Sequence, residues 1–340
     1  MAVVFSGTKL PQSELAEIQK EIYADWGTFR DGDVTINEGH KSSADVYESK
    51  VVVNMSAYSS SAVSAGSDTL TAEKTPVSLT KIQFADTIDY NTLLDTRFER
   101  SMAAGAFNTV SSEFDNAVLQ DISPAISETM ENATWDGATT AQKALIAALT
   151  PGAGQGSISA GAQTLAAAMP TNLVDSLPAI ILHNDSISKV SAGAGIGDYK
   201  KVLSISTITS ANIAAQYALL YATLQPKVLK QEDITIYAPL SHLQLIKIAN
   251  NTVGAAQQVN FLVEGDNVSY NGVKILFKPL IGFIIASPAK YLHILMDLTS
   301  DISQLKTGEN ANGAETFWYK NVQAFATWCT NQRYITLYGG

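Results

Sequence analysis

Residues 219–251, LLYATLQPKVLKQEDITIYAPLSHLQLIKIANN, give the strongest indication of the fold. A helix ends before Pro226, because proline cannot continue one. The apolar stretch DITIYAPL, residues 233–240, is typical of a buried strand. The next stretch, SHLQLIKIAN (241–250), returns to helical spacing. This order of helix, strand and helix predicts an α/β domain.

The flanking residues extend this domain on both sides. Helical spacing is clearest at Ile213, Tyr217, Leu220, Tyr221 and Leu224, and we expect Ser210 to cap this first helix. After the second helix the chain becomes rich in predicted strands. These strands are GVKILFKPL (272–280), GFIIAS (282–287), YLHILMDL (291–298), ETFWYKNVQAFATW (315–328) and QRYITLY (332–338).

One long helix is predicted upstream of the domain. Its apolar residues recur every three or four positions: Phe107, Val110, Phe114, Val118, Ile122, Ile126 and Met130. Pro124, preceded by Ser123, fits either a kink or a helix that restarts there. A helix of this length needs an equally long surface to pack on. The Gly-rich stretch PGAGQGSISAGAQ (151–163) then predicts a surface loop or hinge.

A long β-hairpin is predicted before that helix. Its arms are SKVVVNMSA (49–57) and EKTPVSLTKIQF (73–84), and its tip is the nearly uncharged SAYSSSAVSAGSDTLT (56–71). The second arm changes phase between Leu79 and Ile82, which predicts a bulge near Lys81. A tip of small neutral residues is flexible by itself, so we expect it to gain order by contact with another chain.

The first residues predict a short amphipathic helix followed by a polar leader. Leu15, Ile18, Ile22 and Trp26 lie at helical spacing, and RDGDVTINEGHKSSADVYE (30–48) follows. The leader offers little from which to build a core. We therefore expect an outside partner to hold the amino-terminal segment in place.

Composition excludes several classes of function. The net charge of −10, with only 22 Lys and Arg residues, argues against a surface that grips nucleic acid. Charged residues make up 16% of the chain, against roughly 25% in typical globular proteins. This low fraction fits either a surface covered by neighbouring subunits or a neutral polar surface. A single cysteine, Cys329, excludes an intrachain disulfide and a cysteine-based metal site.

Targeting and membrane signals are not expected either. The first residues lack the pattern of a secretory signal. No apolar run approaches the roughly 18 residues that a membrane-spanning helix needs.

No pattern predicts a catalytic, cofactor-binding or metal residue. SAGAGIGDYKK (191–201) is rich in glycine but does not join a predicted strand to a helix. Adjacent residues such as His183, Asp185 and Ser186 do not form a triad, whose members converge from different elements. Asp297 and Asp301 are too few for a calcium site. The four histidines are scattered along the chain: His40, His183, His242 and His293.

Two clusters are better explained by packing than by ligand binding. His293 lies alone in an apolar strand, which is typical of a hydrogen-bonded core histidine. The aromatic group of the last long strand lacks the interleaved basic residues of a base-stacking surface. Its members are Phe317, Trp318, Tyr319, Phe325 and Trp328.

Together, the polar leader, the hairpin, the long helix and the segment 219–251 resemble the major capsid proteins of tailed bacteriophages, which have the Hong Kong 97-like fold. The resemblance implies an α+β chain whose parts follow in a fixed order. They are an N-terminal arm (1–36), an extended β-hairpin loop (37–88), a peripheral domain with a long spine helix (89–150), an α/β axial domain (151–285), and strands that return to the peripheral domain (286–340).

The resemblance also implies a function. Such a chain is a structural protein, not an enzyme, and assembles with itself into the pentamers and hexamers of an icosahedral shell. The shell encloses double-stranded DNA without sequence-specific binding and without a membrane or cofactor. Portal, scaffold or decoration proteins are the other expected partners. The implied location is the virion, assembled in the host bacterial cytoplasm.

Three alternatives remain open on the sequence. An encapsulin-like nanocompartment would use the same fold to enclose enzyme cargo. An α/β hydrolase without a recognisable motif would be a monomer with turnover. A tail or adhesin protein is disfavoured because the chain has no internal repeats.

Overall fold

The computed structural model describes residues 12–52, 69–89, 112–149, 160–187, 201–203, 207–224, 229, 233–252, 261–299, 305–309, 316–330 and 334–339. Within them, the helices are α1 (Gln12–Asp25), α2 (Gly27–Arg30), α3 (Ser112–Trp135), α4 (Thr140–Ala147), α5 (Ala160–Ala168), α6 (Leu177–Ile187), α7 (Ile213–Thr223) and α8 (Leu240–Thr252). The strands are β1 (Thr35–Asn37), β2 (Ser43–Val52), β3 (Thr69–Ser78), β4 (Thr80–Asp89), β5 (Lys201–Leu203), β6 (Ile234–Pro239), β7 (Phe261–Glu264), β8 (Asn267–Tyr270), β9 (Val273–Lys278), β10 (Phe283–Pro288), β11 (Leu292–Met296), β12 (Leu305–Glu309), β13 (Thr316–Cys329) and β14 (Thr336–Gly339).

A seven-stranded sheet contains β6, the strand of the segment 219–251. Its strand order is β5-β14-β10-β6-β9-β8-β7, with β6 parallel to β9 and β5 parallel to β14. The predicted succession of helix, strand and helix is confirmed by α7, β6 and α8. Helix α7 buries Ile213, Tyr217 and Leu220, which recur at the spacing of one helix face.

Strand β10, at the centre of this sheet, is buried on both faces. Phe283 and Ile285 belong to one hydrophobic core, whereas Ile284 and Ala286 belong to another on the opposite side. A strand covered on both faces needs apolar residues at successive positions, not alternating ones. This explains the continuous apolar run in GFIIAS.

A five-stranded sheet forms the second layer. Its long strand β13 pairs with β4 along one edge and with β11 and β12 along the other, and β1 joins β11 in parallel. Alternate residues of β13 pack on opposite faces of the sheet. Phe325 and Cys329 face the main core, whereas Ala324 and Ala326 face the base of the hairpin.

The predicted long helix is α3, and it packs along α1. Val118, Ile126 and Met130 are buried in the main core, as the apolar periodicity predicts. Pro124 lies inside this single helix and is exposed, so the helix does not restart there. Of the other predicted stripe residues, Phe107 and Val110 lie outside the described part of the chain.

The expectation that the polar leader, residues 30–48, needs an outside partner is wrong for residues 34–37, because Val34 is buried in the main core and β1 pairs with β11. The helix before the leader is also held within the chain. Helix α1 buries Ile22, and Trp26 follows it into the same main core. The Ser127 hydroxyl of α3 lies 2.6 Å from the carbonyl oxygen of Ile22 and donates to it. The predicted amphipathic helix therefore finds its partner, α3, within the same chain.

The second arm of the hairpin divides into two strands. The arm's first part, β3, pairs with β2, whereas β4 pairs with β13 in unbroken register from Thr80 to Asp89. The predicted bulge near Lys81 is therefore wrong. The buried face changes after Leu79 because the chain leaves one sheet there and enters another. Most of the small-residue tip, residues 56–68, lies outside the described residues.

Two local predictions also need correction. Helix α7 begins after Asn212, not after Ser210, and the Asn212 side chain bonds to Thr207 and Thr209 instead of capping the helix. The predicted loop 151–163 ends at Ala160, where α5 begins. The glycine-rich stretch 191–200 lies outside the described residues. None of the helices described above is long and apolar enough to cross a membrane.

Candidate functional site

Among the described side chains, His183, His242 and His293 lie in separate surroundings and have structural contacts. His242 is buried and lies 3.1 Å from the Tyr217 hydroxyl, and burial lowers its pKa to about 4. His183 is also buried, while the side chains of Asp185 and Ser186 lie outside the described residues. In the described part of the chain, no three His, Cys, Asp or Glu side chains are grouped so as to hold a metal ion.

His293 resembles a catalytic histidine in its contacts but not in its chemistry. Its Nε2 lies 2.9 Å from Thr330 Oγ1, and its Nδ1 lies 3.3 Å from Asn37 Nδ2. Because an amide NH2 group can only donate, Nδ1 accepts, and Nε2 carries the proton that it donates to Thr330. Both ring nitrogens are thus engaged in hydrogen bonds within the trio, and neither is left to act as a general base. Thr330 is also buried, so the trio is a structural one, as predicted for His293.

The other candidate clusters also have structural roles. The Asp297 carboxylate accepts a hydrogen bond from the backbone N–H of Leu298 at 2.8 Å, as in a turn, and Asp301 lies outside the described residues. Phe325 packs against Trp26 in the main core, with 5.8 Å between ring centroids. Strand β13 therefore contributes an aromatic residue to the core, in agreement with the prediction that its aromatic group serves packing.

The element that projects from this body is the hairpin formed by β2 and β3. Its base packs Ala44, Val46, Val77 and Leu79 onto Leu295, Ala324 and Ala326 of the five-stranded sheet. The Leu79 N–H donates to the carbonyl oxygen of Ser42 at 2.9 Å and closes the base. The two strands then stay in register as far as the pair Val52–Thr69. The base fixes the direction in which the hairpin leaves the subunit.

The opposite face of the hairpin is polar and open. Tyr47 is 70% exposed, although tyrosine has a large apolar ring. Beside it, Lys74 Nζ and Asp45 Oδ2 form an exposed ion pair at 2.7 Å. This pair raises the pKa of Lys74, chiefly through its hydrogen bond to Asp45. An exposed tyrosine is typical of protein interfaces, whereas a Lys–Asp pair is more typical of their polar rim.

The outer backbone edges of the hairpin are available for pairing. Among the described strands, β2 and β3 pair only with each other. The edge of a two-stranded ribbon presents rows of N–H and C=O groups that another chain can pair with. A ribbon of two strands is also marginally stable in water by itself. Both properties favour a role in contact with another molecule.

An open cleft of about 540 Å³ lies between the hairpin base and the β1–β11 edge. Its polar lining includes Asn37, His293 and Thr330, which are hydrogen-bonded to one another. Burial lowers the pKa of His293 to about 4 and keeps the ring neutral near pH 7. The cleft also has two carboxylates in its lining, but Asp45 is paired with Lys74 and Glu38 accepts hydrogen bonds from Thr299.

A buried ion cluster lies inside the body, and the sequence did not predict it. We use this name for Asp33, Glu131 and Lys278. Lys278 Nζ lies 2.6 Å from Asp33 Oδ2 and 3.1 Å from Glu131 Oε1. The cluster joins the segment after α2, the end of α3 and the end of β9. The strand VKILFK contains two lysines, and the sequence does not show that Lys278 is buried whereas Lys274 is exposed.

Comparison with known proteins identifies the fold. No protein-family model matches the chain, and no curated protein matches it. A chain from the capsid of an empty GTA particle aligns with a TM-score of 0.54 and 11% identity, over 93% of this chain and 89% of that one. A chain from the capsid of Myoviridae phage XM1 aligns with a TM-score of 0.50 and 9% identity, over 92% and 91%. The predicted α+β, capsid-type fold is therefore confirmed.

Proposed function

We propose that this chain is the major capsid protein of a tailed bacteriophage, and that it assembles into the pentamers and hexamers of an icosahedral shell. The observation that carries the proposal is the extent of the fold match. It covers 93% of this chain and 89% of a chain from the GTA capsid, so the match extends over most of both chains and is not confined to one domain. The described residues of this chain carry no catalytic arrangement.

The hairpin is the part of the subunit that we assign to contact between copies. Lying across a neighbour, it would pair its outer edges and cover Tyr47. A standard interface buries roughly 800 Å² per partner. At about 25 cal/mol per Å², this gives a gross hydrophobic gain of about 20 kcal/mol. Most of that gain is offset by the entropy lost on association and ordering.

Many such contacts around each subunit would make the shell kinetically stable. Ordering a flexible tip costs about 1–2 kcal/mol per residue, so the tip becomes ordered only when a neighbour compensates. A subunit held by several neighbours leaves slowly even when each contact is weak. Stability of this kind is a rate, not an equilibrium constant.

We infer that the shell encloses double-stranded DNA without gripping it. The net charge of −10 opposes binding to phosphates. The exposed face of α1 adds Glu17, Glu21 and Asp25. On this proposal the protein resides in the virion, is assembled in the host bacterial cytoplasm, and meets portal and scaffold or decoration proteins there.

Electron microscopy and sedimentation of the expressed full-length chain test the proposal. We expect closed particles, or free pentamers and hexamers, at micromolar subunit concentration. A chain that stays monomeric when expressed alone and when expressed with its neighbouring genes would contradict the proposal. Closed particles that purify with an enzyme inside, and never with DNA, would contradict the phage assignment while preserving the shell.

A further inference from the structure

The buried ion cluster places an amine and a carboxyl group at reacting distance. Lys278 Nζ lies 2.6 Å from Asp33 Oδ2, so the carboxyl carbon of Asp33 is one bond further away. Their side chains are only 7% and 5% exposed. Groups held together in this way react with effective concentrations far above those in solution. The geometry therefore allows chemistry between the two side chains.

Glu131 is fixed beside this pair as a proton carrier. Its Oε1 lies 3.1 Å from Lys278 Nζ. Thr28 holds the carboxylate from the other side, because the Thr28 hydroxyl donates to Oε1 at 2.8 Å and the Thr28 N–H donates to Oε2 at 2.9 Å. The Trp135 indole N–H donates in turn to the Thr28 hydroxyl at 2.6 Å. Glu131 thus has one defined position.

Aromatic rings shield the cluster from water. The Trp135 ring centroid lies 5.7 Å from Lys278 Nζ, and this ring stacks on Tyr237 at 4.9 Å. The Tyr237 hydroxyl donates to the backbone carbonyl oxygen of Asp33 at 2.5 Å and fixes that residue. Burial, together with the nearby charge of Asp33, raises the pKa of Tyr237, so its hydroxyl stays a donor. Lys278 and Asp33 are therefore largely excluded from solvent, while Glu131 is 17% exposed.

The cluster also contains more charge than a buried site easily holds. Two carboxylates share one ammonium group, and charges inside a protein are costly even when paired. Joining the ammonium group to one carboxylate removes two of the three charges. The remaining carboxylate, Glu131, keeps both of its hydrogen bonds from Thr28.

We propose that Lys278 and Asp33 condense to an isopeptide bond within each subunit, with Glu131 moving the protons. Proton transfer inside the ion pair gives a neutral amine and a carboxylic acid. The Nζ lone pair attacks Cγ of Asp33, and Glu131 accepts a proton from Nζ and delivers it to the departing hydroxyl. One C–N bond forms, one C–O bond breaks, and one water molecule leaves. Exclusion of water from the site opposes the reverse hydrolysis.

The bond would tie three parts of one subunit together. Asp33 follows α2, Lys278 ends β9 in the seven-stranded sheet, and Glu131 lies on α3. A covalent link between the first two closes a long loop of the chain, and such links restrict the unfolded state most. The link is internal to the subunit, so its formation does not depend on the proposed shell.

Intact-mass spectrometry of the denatured, purified full-length chain tests the proposal. We expect a mass lower by one water molecule, and after proteolysis a branched peptide that joins the segments around Asp33 and Lys278. The exposed pair Lys247–Asp266, with its atoms 2.9 Å apart, is the matched internal control and should give only unlinked peptides. A full, unreduced mass would overturn the proposal, because the three groups would then be a simple ion cluster. A water loss that maps elsewhere would overturn it as well.

Variants separate the role of each group. Asp33→Ala should retain the full mass, and Glu131→Gln, which keeps the size of the side chain, should slow the appearance of the lighter form at least tenfold. Both variants are compared with the parent by circular dichroism, and the branched peptide is followed over time after synthesis. A Glu131→Gln chain that becomes linked as fast as the parent would overturn the role of Glu131.

Discussion

The polar groups of the buried ion cluster and those of the hairpin differ in their exposure to solvent. In the cluster, Asp33 and Lys278 are buried and Glu131 is partly buried, and each has a partner from a different part of the same chain. On the hairpin, the pair Lys74–Asp45 and the Tyr47 ring face solvent. The first arrangement secures the fold of one subunit. The second leaves a surface that the described part of the chain does not cover.

Because of this difference, we expect mutations in the body and mutations on the hairpin to affect different properties. Changes in the body should lower the free energy of unfolding of the isolated subunit. Changes on the hairpin should leave that free energy nearly unchanged and act on assembly. The following predictions are arranged from the largest expected effect to the smallest.

The largest effect is expected when residues 59–68 are deleted from the tip. The strands remain paired as far as Val52–Thr69, so the base of the hairpin keeps its contacts. We expect soluble subunits with the parent's melting temperature and few or no closed shells, since the tip can no longer reach a neighbour. Electron microscopy and calorimetry measure the two properties. Deleting the equally small residues 152–156, outside the hairpin, is the control.

Normal shells of normal heat resistance from the tip deletion would contradict this division of roles. A subunit that fails to fold after the deletion would contradict it too, because the tip would then be part of the body's stability.

The replacement Lys278→Met should give the largest effect on the isolated subunit. It removes the partner of Asp33 and Glu131, and breaking a buried ion pair in this way costs about 3–5 kcal/mol. Loss of the proposed isopeptide link would add to this effect. Urea unfolding of the subunit measures the loss. The control is Lys247→Met, whose exposed pair with Asp266 should contribute within about 0.5 kcal/mol. If both replacements lowered the free energy of unfolding equally, burial would not be the cause of the effect, and the prediction would be contradicted.

The body should also be sensitive to acid, because His242 is buried and His293 is half-buried, and both are kept neutral. Burial lowers the pKa of both His242 and His293 to about 4, whereas the unfolded value is about 6.5. Between these values the unfolded chain binds protons that the folded chain cannot. The free energy of unfolding is therefore full above pH 6.5 and falls as the pH drops towards 4.

Each histidine should account for about 3 kcal/mol of this fall. Unfolding curves at a series of pH values measure it. In the variant His293→Gln, the pH dependence of the free energy of unfolding should correspond to one proton fewer taken up on unfolding. In the double variant with His242→Gln it should correspond to two fewer. A parent protein with no slope between pH 6.5 and 4 would contradict the neutral state of both rings.

The comparison also shows which features could be predicted from sequence. The run GFIIAS and the spacing of Ile213, Tyr217 and Leu220 report burial directly, so β10 and α7 were predictable. Alternation reports only which face of a strand is buried. The change of face after Leu79 therefore predicted a bulge, although the chain passes there from the hairpin into another sheet.

Contacts between distant segments could not be predicted in the same way. The apolar positions Ile22 and Trp26 indicated a helix that needs a partner, but nothing in the spacing identified α3 as that partner. Lys278 was read as part of an ordinary strand, because its two carboxylates lie far away in sequence. Neither the contact between α1 and α3 nor the ion pairs of Lys278 could be predicted, because a single sequence does not show which distant segments come together.

The smallest effect on the subunit is expected from Tyr47→Ser. The ring is 70% exposed, so its loss should change the free energy of unfolding by no more than about 0.5 kcal/mol. If the ring becomes buried against a neighbour, the same replacement should weaken each contact by about 1–2 kcal/mol, which raises the subunit concentration needed for assembly roughly 5- to 30-fold. Light scattering against subunit concentration measures this threshold. Leu173→Ser is the matched control, since Leu173 is 71% exposed but lies on the body. An equal rise for both variants would mean that the hairpin is not the preferred contact, whereas a rise for Tyr47→Ser alone would locate the contact on its outer face.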